Sequence, residues 1–223
     1  MGLLNFGRAK DGILAEQEAR LLKLESESKL RSAQMEELHE MARHLDEDRS
    51  LLMGALKALR PGMTPKALAS ALLDLCFKPL GLASFYLALH EPERHLIHFP
   101  VYYEGGRDRD TPPRDFTERG GLTAKTINLG QPLYLRSLDE SIGAGAVLSD
   151  IEKGSGLVPQ SWYGVPLGCD PAWGGHPFAL LSYQSFQKDA FSDSRRKVMD
   201  ALGIILAFAM KADPGRCFTE TEG

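Results

Sequence analysis

Three histidines, His90, His95 and His98, surround one predicted strand hairpin and are the first candidates for metal binding. Turn geometry could place His90 opposite His95, so that these two share a metal ion. His98 alternates with His95 and is expected to point to the other face of the sheet. A structural zinc ion usually has four protein ligands, and only two converge here. We therefore predict ordinary surface histidines and no metal site.

Three cysteines, Cys76, Cys169 and Cys217, are the candidate nucleophiles. They are odd in number, lie far apart and form no C-x-x-C pair, which argues against a disulfide framework and suits a reducing compartment. Cys76 belongs to the apolar face of a predicted helix and Cys217 to the C-terminal tail. Cys169 therefore has no evident resolving partner for redox chemistry, and we predict no catalytic residue.

Composition narrows the function classes further. The 223-residue chain has a net charge of −4 and a pI of about 5.9. A duplex-binding surface usually shows as a basic excess, which is absent, so we predict no nucleic-acid partner. Residues 1–10 lack the apolar run of a signal peptide, and the longest apolar stretches are too short to cross a bilayer. We expect a soluble, cytoplasmic protein with no membrane partner.

The first 60 residues are rich in helix formers and follow a seven-residue apolar repeat. One row is Leu14, Leu21, Ser28, Met35, Ala42, Arg49 and Leu56, and the other is Gln17, Leu24, Arg31, Leu38, Leu45, Leu52 and Leu59. Such rows, with charged flanks, are typical of a coiled coil. A helix of about 45 residues is about 70 Å long, more than a compact domain of this size can cover. We predict a coiled-coil helix over 1–60 that forms a homodimer.

Residues 61–213 read as one mixed domain, and residues 214–223 as a disordered tail. Pro61 and Gly62 end the long helix. Thr64 and Pro65 then look like the N-cap and first residue of the next one. The patterns predict helices over 64–78, 117–128 and from 192 onward, and strands over 82–90, 95–103, 133–135, 161–167 and 177–186.

Three local runs, in this order, resemble the GAF family over residues 61–212. They are GGLTAKTI at 120–127 with GQPL at 130–133, SWYGVPL at 161–167, and QSF at 184–186 followed by AFSD at 190–193. The resemblance implies an α+β fold, with an antiparallel sheet of five or six strands flanked by helices and preceded by the long N-terminal helix. It also implies a small-molecule pocket on one face and dimerisation through the terminal helices.

Several departures from the family leave the ligand unidentified. The N-K-x-n-F-x3-D-E signature of cyclic-nucleotide-binding members is absent, and so is the cysteine in a His-rich stretch that holds a bilin. His176-Pro177-Phe178-Ala179 replaces the usual last-strand motif. Fold alone does not specify a ligand, so the cofactor stays unknown.

Strand aromatics are the best candidates for the pocket, because alternate residues of a strand share one face and small-molecule sites combine aromatic walls with a few polar groups. The predicted ligand-binding residues are Tyr86, Arg119, Thr123, Trp162 and Tyr183. The competing interpretation of the aromatic residues is core packing.

These observations favour a sensory or regulatory GAF module in which an unidentified small molecule biases a dimer and the helices carry that bias outward. No kinase or cyclase follows the domain in this sequence, so we expect the output to act on a signalling partner in trans. The first alternative is a ligand-free dimerising scaffold whose pocket is filled by its own side chains. A third is an enzyme like the GAF relative that reduces free methionine sulfoxide with several pocket cysteines.

The long segment 137–160 is predicted to be a lid over the pocket. Its glycines leave the backbone few restraints. Six apolar residues in it need a buried surface, namely Ile142, Val147, Leu148, Ile151, Leu157 and Val158. We therefore expect part of the segment to fold onto the domain, with a short helix over 148–153.

Overall fold

The structure is a computed structural model that describes residues 3–116, 121–169 and 175–211. Contacts divide the chain into two compact units, Met1–Glu47 and Asp48–Gly223. Within the described ranges, every helix is too short or too polar to cross a membrane. The predicted domain limits at 60 and 213 stay a prediction.

The long helix α1 spans Leu3–Ala58. Between residues 20 and 47, where the side chains of the first unit are described, its apolar side chains are exposed. Heptad-row members among them are Leu21, Leu24, Met35, Leu38 and Leu45, each more than half exposed. An exposed apolar row of this length has no partner within a single chain, which agrees with the predicted coiled coil without testing it.

The end of α1 belongs to the second unit and packs into its core. Leu51, Ala55 and Leu59 are buried there. A Cβ atom at Gly54 would lie 3.2 Å from a methyl group of Leu75 in the next helix, so the two helices approach closely at this point. The core-facing residues Leu51 and Ala55 lie outside both heptad rows, whereas the row member Leu56 is 58% exposed.

The second unit is an antiparallel sheet flanked by helices, which confirms the expected α+β class. Its strands are β1 (Ser84–Glu91), β2 (Leu96–Glu104), β3 (Arg107–Asp108), β4 (Arg114–Asp115), β5 (Leu133–Leu135), β6 (Ser161–Leu167) and β7 (Ala179–Ser185). The order is β3-β2-β1-β7-β6-β5, with β4 also paired to β2. The count of seven exceeds the expected five or six because β3 and β4 are two-residue pairings at the β2 edge.

Five shorter helices pack around this sheet. They are α2 (Pro65–Cys76), α3 (Gly121–Leu129), α4 (Leu138–Gly143), α5 (Asp150–Ser155) and α6 (Asp193–Lys211). As expected, Thr64 caps α2, because its hydroxyl accepts a hydrogen bond from the Ala67 amide at 3.1 Å. α4 lies in a segment for which the sequence predicts no helix.

Strand alternation gives the sheet two separate apolar layers. The main core holds Phe85, Leu87, Val165, Leu181 and Tyr183 of the sheet together with the buried residues of α2, α6 and the end of α1. The second layer holds Tyr86, Phe99, Trp162 and Leu180 under α3. Adjacent residues of one strand therefore serve different layers.

Replacing Tyr183 with phenylalanine is expected to stabilise the protein. Tyr183 is fully buried in the main core, and its hydroxyl has no hydrogen-bond partner. An unsatisfied buried hydroxyl costs about 1–3 kcal/mol, so its removal should raise the free energy of unfolding by about 1 kcal/mol. Denaturant titration measures this change.

Tyr163→Phe is the matched control for this prediction. The Tyr163 hydroxyl donates a 2.6 Å hydrogen bond to Asp200 Oδ1, so the same chemical change should here lower the free energy of unfolding by about 1.5–3 kcal/mol. Equal effects of the two changes would show that the Tyr183 hydroxyl has a partner in solution, such as a buried water.

Candidate functional site

A cavity of about 530 Å³ lies in the second layer, between the sheet and the segment that carries α4 and α5. Tyr86, Trp162 and Gln184 of the sheet line it from below. The first turn of α3, the β4 strand and the residues around α5 line it from the sides. Its size is typical of small-molecule sites.

The floor of the cavity has a polar centre at the Tyr86 hydroxyl. Tyr86 is buried, and its hydroxyl lies 2.9 Å from Thr123 Oγ1. Burial raises the pKa of Tyr86, while hydrogen bonds with Thr123, Ser182 and Trp162 oppose that rise. The group is therefore a neutral phenol at physiological pH that joins α3 to three neighbouring strands.

Trp162 lies flat over its own strand because residue 164 is glycine. A Cβ atom at Gly164 would overlap Cη2 of the Trp162 ring and would lie 2.6 Å from Cζ3 and 2.8 Å from Cζ2. The missing side chain thus makes the space that the indole ring occupies. Gly164 shapes the cavity floor without contacting a ligand.

Gln184 is the least satisfied polar group of the floor. It pairs with Trp162 across β6 and β7, and only 7% of it is exposed. Its amide nitrogen donates one long hydrogen bond, 3.5 Å, to Ser182 Oγ. No described residue donates to the carboxamide oxygen, which is accessible and can accept a hydrogen bond from a molecule in the cavity.

Three aromatic rings form a cluster at the β1–β2 side of the cavity. Tyr86 stacks on Tyr102 with ring centroids 5.1 Å apart, and Phe99 meets both rings edge-on at 5.7 and 5.8 Å. The Arg114 guanidinium lies over the Phe99 ring, 5.2 Å from its centroid. This distance is that of a cation–π contact.

Ser149 joins α5 to the sheet through two carboxylates. Its hydroxyl donates to Glu104 Oε1 at 2.7 Å and accepts from the Glu152 amide at 3.1 Å. Its own amide donates to Glu152 Oε2 at 2.6 Å, which completes a capping box. Glu104, at the end of β2, is 7% exposed.

This arrangement raises the pKa of two side chains, the Glu152 carboxyl and the Tyr102 phenol. Burial raises the pKa of Glu152, and the charge of Glu104 raises it further. Burial is also the main cause that raises the pKa of Tyr102, with Glu104 and Glu152 adding to it. The cavity wall near Ser149 therefore concentrates negative charge in a partly desolvated place.

The predicted site residues divide into three groups. Tyr86, Thr123 and Trp162 line the cavity together, and ligand binding by them stays a prediction. Tyr183 must be corrected, because it lies in the main core on the opposite face, paired with Phe85 and Tyr163. Arg119 lies outside the described residues.

Sequence reasoning missed Glu104, Glu152, Gln184 and Tyr102. The S-x-x-E pattern at Ser149–Glu152 is a capping-box signal and could have located the start of α5 and its acid. Nothing local distinguishes Glu104 or Gln184 from surface residues, because their burial depends on strand pairing across the sheet.

The segment 137–160 folds partly as expected. A short helix is present as α5, which confirms that part of the prediction. The expectation that its larger apolar residues are buried is wrong for three of them, since Ile142, Val147 and Leu157 are each more than half exposed. The contacts with the second layer are made by Ala144 and Ala146 instead.

The other candidate groups lie away from the cavity. His90 pairs with Ile97 in the strand ladder, so it is not opposite His95, and its ring stacks on Phe116 at 3.9 Å. His98 Nε2 lies 2.7 Å from Glu91 Oε2. Within the described parts of the chain, no three potential metal ligands come together.

The two described cysteines do not contribute to the cavity. Cys76 is buried in the main core, where desolvation raises its pKa to about 12. Cys169 follows β6 and is half-buried, and desolvation raises its pKa as well. Both groups are therefore thiols, not thiolates, near neutral pH. Cys217 lies outside the described residues.

No protein-family model and no curated protein matches this sequence. Solved structures do match. The GAF domain of an Acinetobacter phosphoenolpyruvate-protein phosphotransferase gives a TM-score of 0.58 at 11% identity, over 75% of this chain and 92% of that one. The A. aeolicus nlh2 GAF domain, solved in an inactive state, gives a TM-score of 0.57 at 16% identity, over 75% of this chain and 98% of that one.

An enzyme is also similar. The free methionine-R-sulfoxide reductase of Neisseria meningitidis, solved with its substrate, gives a TM-score of 0.58 at 15% identity, over 75% of this chain and 90% of that one. At such low identity these matches establish a common fold and leave activity open.

Proposed function

We propose that this chain, which has a GAF-like fold, is a non-enzymatic regulatory module that binds a small molecule in the second-layer cavity and signals through a homodimer of α1. The observation that carries the proposal is the cavity itself, whose buried floor presents the unpaired Gln184 oxygen beside Tyr86 and Trp162. A pocket filled by its own side chains, as in the scaffold alternative, would leave no cavity of this volume.

The sheet offers a route from the cavity to the helices. In β7, Gln184 faces the cavity while its neighbour Tyr183 faces the main core. That core includes Leu51, Ala55 and Leu59 at the end of α1. A ligand that shifts β7 or β1 would change the packing under α1, because close-packed interiors transmit displacement.

The reductase alternative lacks support from the described thiols. The similar Neisseria enzyme acts on free methionine-R-sulfoxide, as its name states. Here Cys76 lies on the far side of the sheet, and Cys169 is outside the cavity lining. The cavity would need a reactive thiolate for that chemistry, so binding without turnover is the better assignment.

Native mass spectrometry of the protein purified from its own host tests the function. We expect a retained small molecule that disappears in Trp162→Ala, because that change removes the cavity floor. Ile204→Ala, on the exposed side of α6, is the control and should retain it. The sensing assignment would be contradicted if the purified wild-type protein carried no added mass and also bound no small molecule when it was incubated with a host-cell extract.

Segment 137–160 is expected to act as a lid, and hydrogen exchange can measure this. Without ligand, its amides should exchange much faster than those of β6, because α4 and α5 are only six residues long. Ligand should slow exchange, and the ordering free energy would lower the affinity. Protection equal to that of β6 in the ligand-free protein would exclude a lid.

A further inference from the structure

We propose that the ligand of this cavity is an organic cation, a protonated amine or a guanidinium, held between Glu152 and the ring cluster of Tyr86, Phe99 and Tyr102. This inference rests on the proposed function, since it gives the chemical class of the ligand for the same cavity. Its support comes from an acidic wall without an ion-pair partner among the described residues, an aromatic surface that already carries a cation, and a neutral acceptor in the cavity floor.

The acidic wall has no ion-pair partner among the described residues, although the nearby Lys153 charge partly offsets the rise in the pKa of Glu152. Glu104 and Glu152 both bond to Ser149, so their carboxylates lie close together. Among the described residues, no lysine, arginine or histidine forms an ion pair with either one. Arg109 donates to the main-chain oxygen of Glu104, at 3.3 Å, and not to its carboxylate. Glu104 is buried and Glu152 is half-buried, and carboxylates removed from water in this way are normally paired, so a cation from outside would complete this site.

The aromatic cluster adds a second kind of cation contact. Ring faces attract cations, and sites that recognise ammonium groups combine several rings with acidic residues. In the ligand-free chain the Arg114 guanidinium already lies over Phe99. Arg114 is exposed and belongs to the two-residue strand β4, so a better-placed cation can displace it.

The basic residues of the cavity lie at its rim. Arg114 and Lys153 are exposed, as is Asp115 beside them, and solvent and salt screen exposed charges strongly. Inside the rim, Gln184 is buried and Glu152 is half-buried, while Glu104 is buried behind Ser149. The Gln184 carboxamide oxygen can accept a hydrogen bond from an amine. The interior therefore favours a positive ligand, although both signs line the entrance.

Isothermal titration of the full chain with three probes of similar shape tests the class. The probes are 2-phenylethylamine as cation, 2-phenylethanol as neutral analogue and 3-phenylpropanoate as anion. We expect the amine to bind at least about tenfold more tightly than the other two, from one charge-assisted hydrogen bond. Glu152→Gln should weaken amine binding by about tenfold and leave the alcohol unchanged.

Two variants complete the test. Glu93→Gln, an exposed acid of the β1–β2 turn, is the matched control and should change nothing. Arg114→Met should tighten amine binding, because it removes the internal competitor. If Glu152→Gln does not fold, Glu104→Gln replaces it in the test. It removes one negative charge from the same acidic wall, at the carboxylate that accepts the Ser149 hydrogen bond, and should also weaken amine binding.

The outcomes separate this inference from the proposed function. If the alcohol or the anion binds more tightly than the amine, and Trp162→Ala abolishes that binding, the cationic class is overturned. The proposal of a sensing cavity then still stands. Binding of no probe overturns the cationic class, and only the additional absence of a host-derived ligand removes the sensing function.

Discussion

Replacing Gly164 with alanine should abolish ligand binding and destabilise the second unit. The new Cβ atom would occupy the space of the Trp162 ring, since three ring atoms lie within 2.8 Å of its position. The indole must then rotate into the cavity or the strand must shift, and overpacking of this kind costs about 1–3 kcal/mol or more. Thermal denaturation and probe titration measure the two effects separately.

Gly143→Ala is the matched control for that substitution. Gly143 is the last residue of α4 and has nothing within 4 Å of an added Cβ atom. Alanine there should be neutral or stabilising by up to about 1 kcal/mol, because it lowers the entropy of the unfolded chain. Unchanged ligand binding in Gly164→Ala would show that the Trp162 ring is not part of the site.

Replacing Leu38 and Leu45 with glutamate should convert the proposed dimer to a monomer in sedimentation. Both leucines are in the second heptad row and are more than half exposed in one chain. A coiled coil would bury four of them per dimer, each contributing about 1.5–3 kcal/mol. Their loss weakens association by at least about a thousandfold, even before the repulsion between the new charges.

Leu22→Glu with Leu30→Glu is the control pair. These leucines lie on the same helix and are 67% and 61% exposed, but they belong to neither heptad row. The control should remain a dimer, because coiled-coil positions outside the seam face solvent. Loss of the dimer in both pairs would point to general disruption of α1, and an unchanged dimer in Leu38→Glu with Leu45→Glu would exclude this seam.

Much of the fold follows from local signals. The bounds of β6 equal the predicted 161–167, and Thr64 caps α2 as expected, because turn residues, caps and apolar runs act within a few residues. The two-residue strand β4 pairs with the start of β2 across most of the hairpin, which no local pattern encodes. β3 is different, because the Gly105-Gly106 turn joins it directly to β2 and is a local hairpin signal that was missed. α4 was missed because six residues hold too little periodicity to detect.

The site was predictable only in part, for a reason that Tyr183 illustrates. An aromatic residue in a strand faces one of two layers, and the choice depends on register. The structure pairs Tyr183 with Tyr163, the neighbour of Trp162, and so directs it away from the cavity. Glu104 was missed for a similar reason, since the hydroxyl that donates to its carboxylate belongs to Ser149, 45 positions away in the chain.

The alternation of β7 separates two kinds of evolutionary change. Leu181 and Tyr183 contribute to the main core, whereas Ser182 and Gln184 belong to the cavity side. Substitutions at 182 and 184 can alter ligand preference while the packing that determines stability stays intact. Substitutions at 181 and 183 alter the packing that determines stability and leave the cavity side of the strand unchanged. Because the two sets of residues alternate in one seven-residue strand, ligand preference would be able to change during evolution without loss of stability.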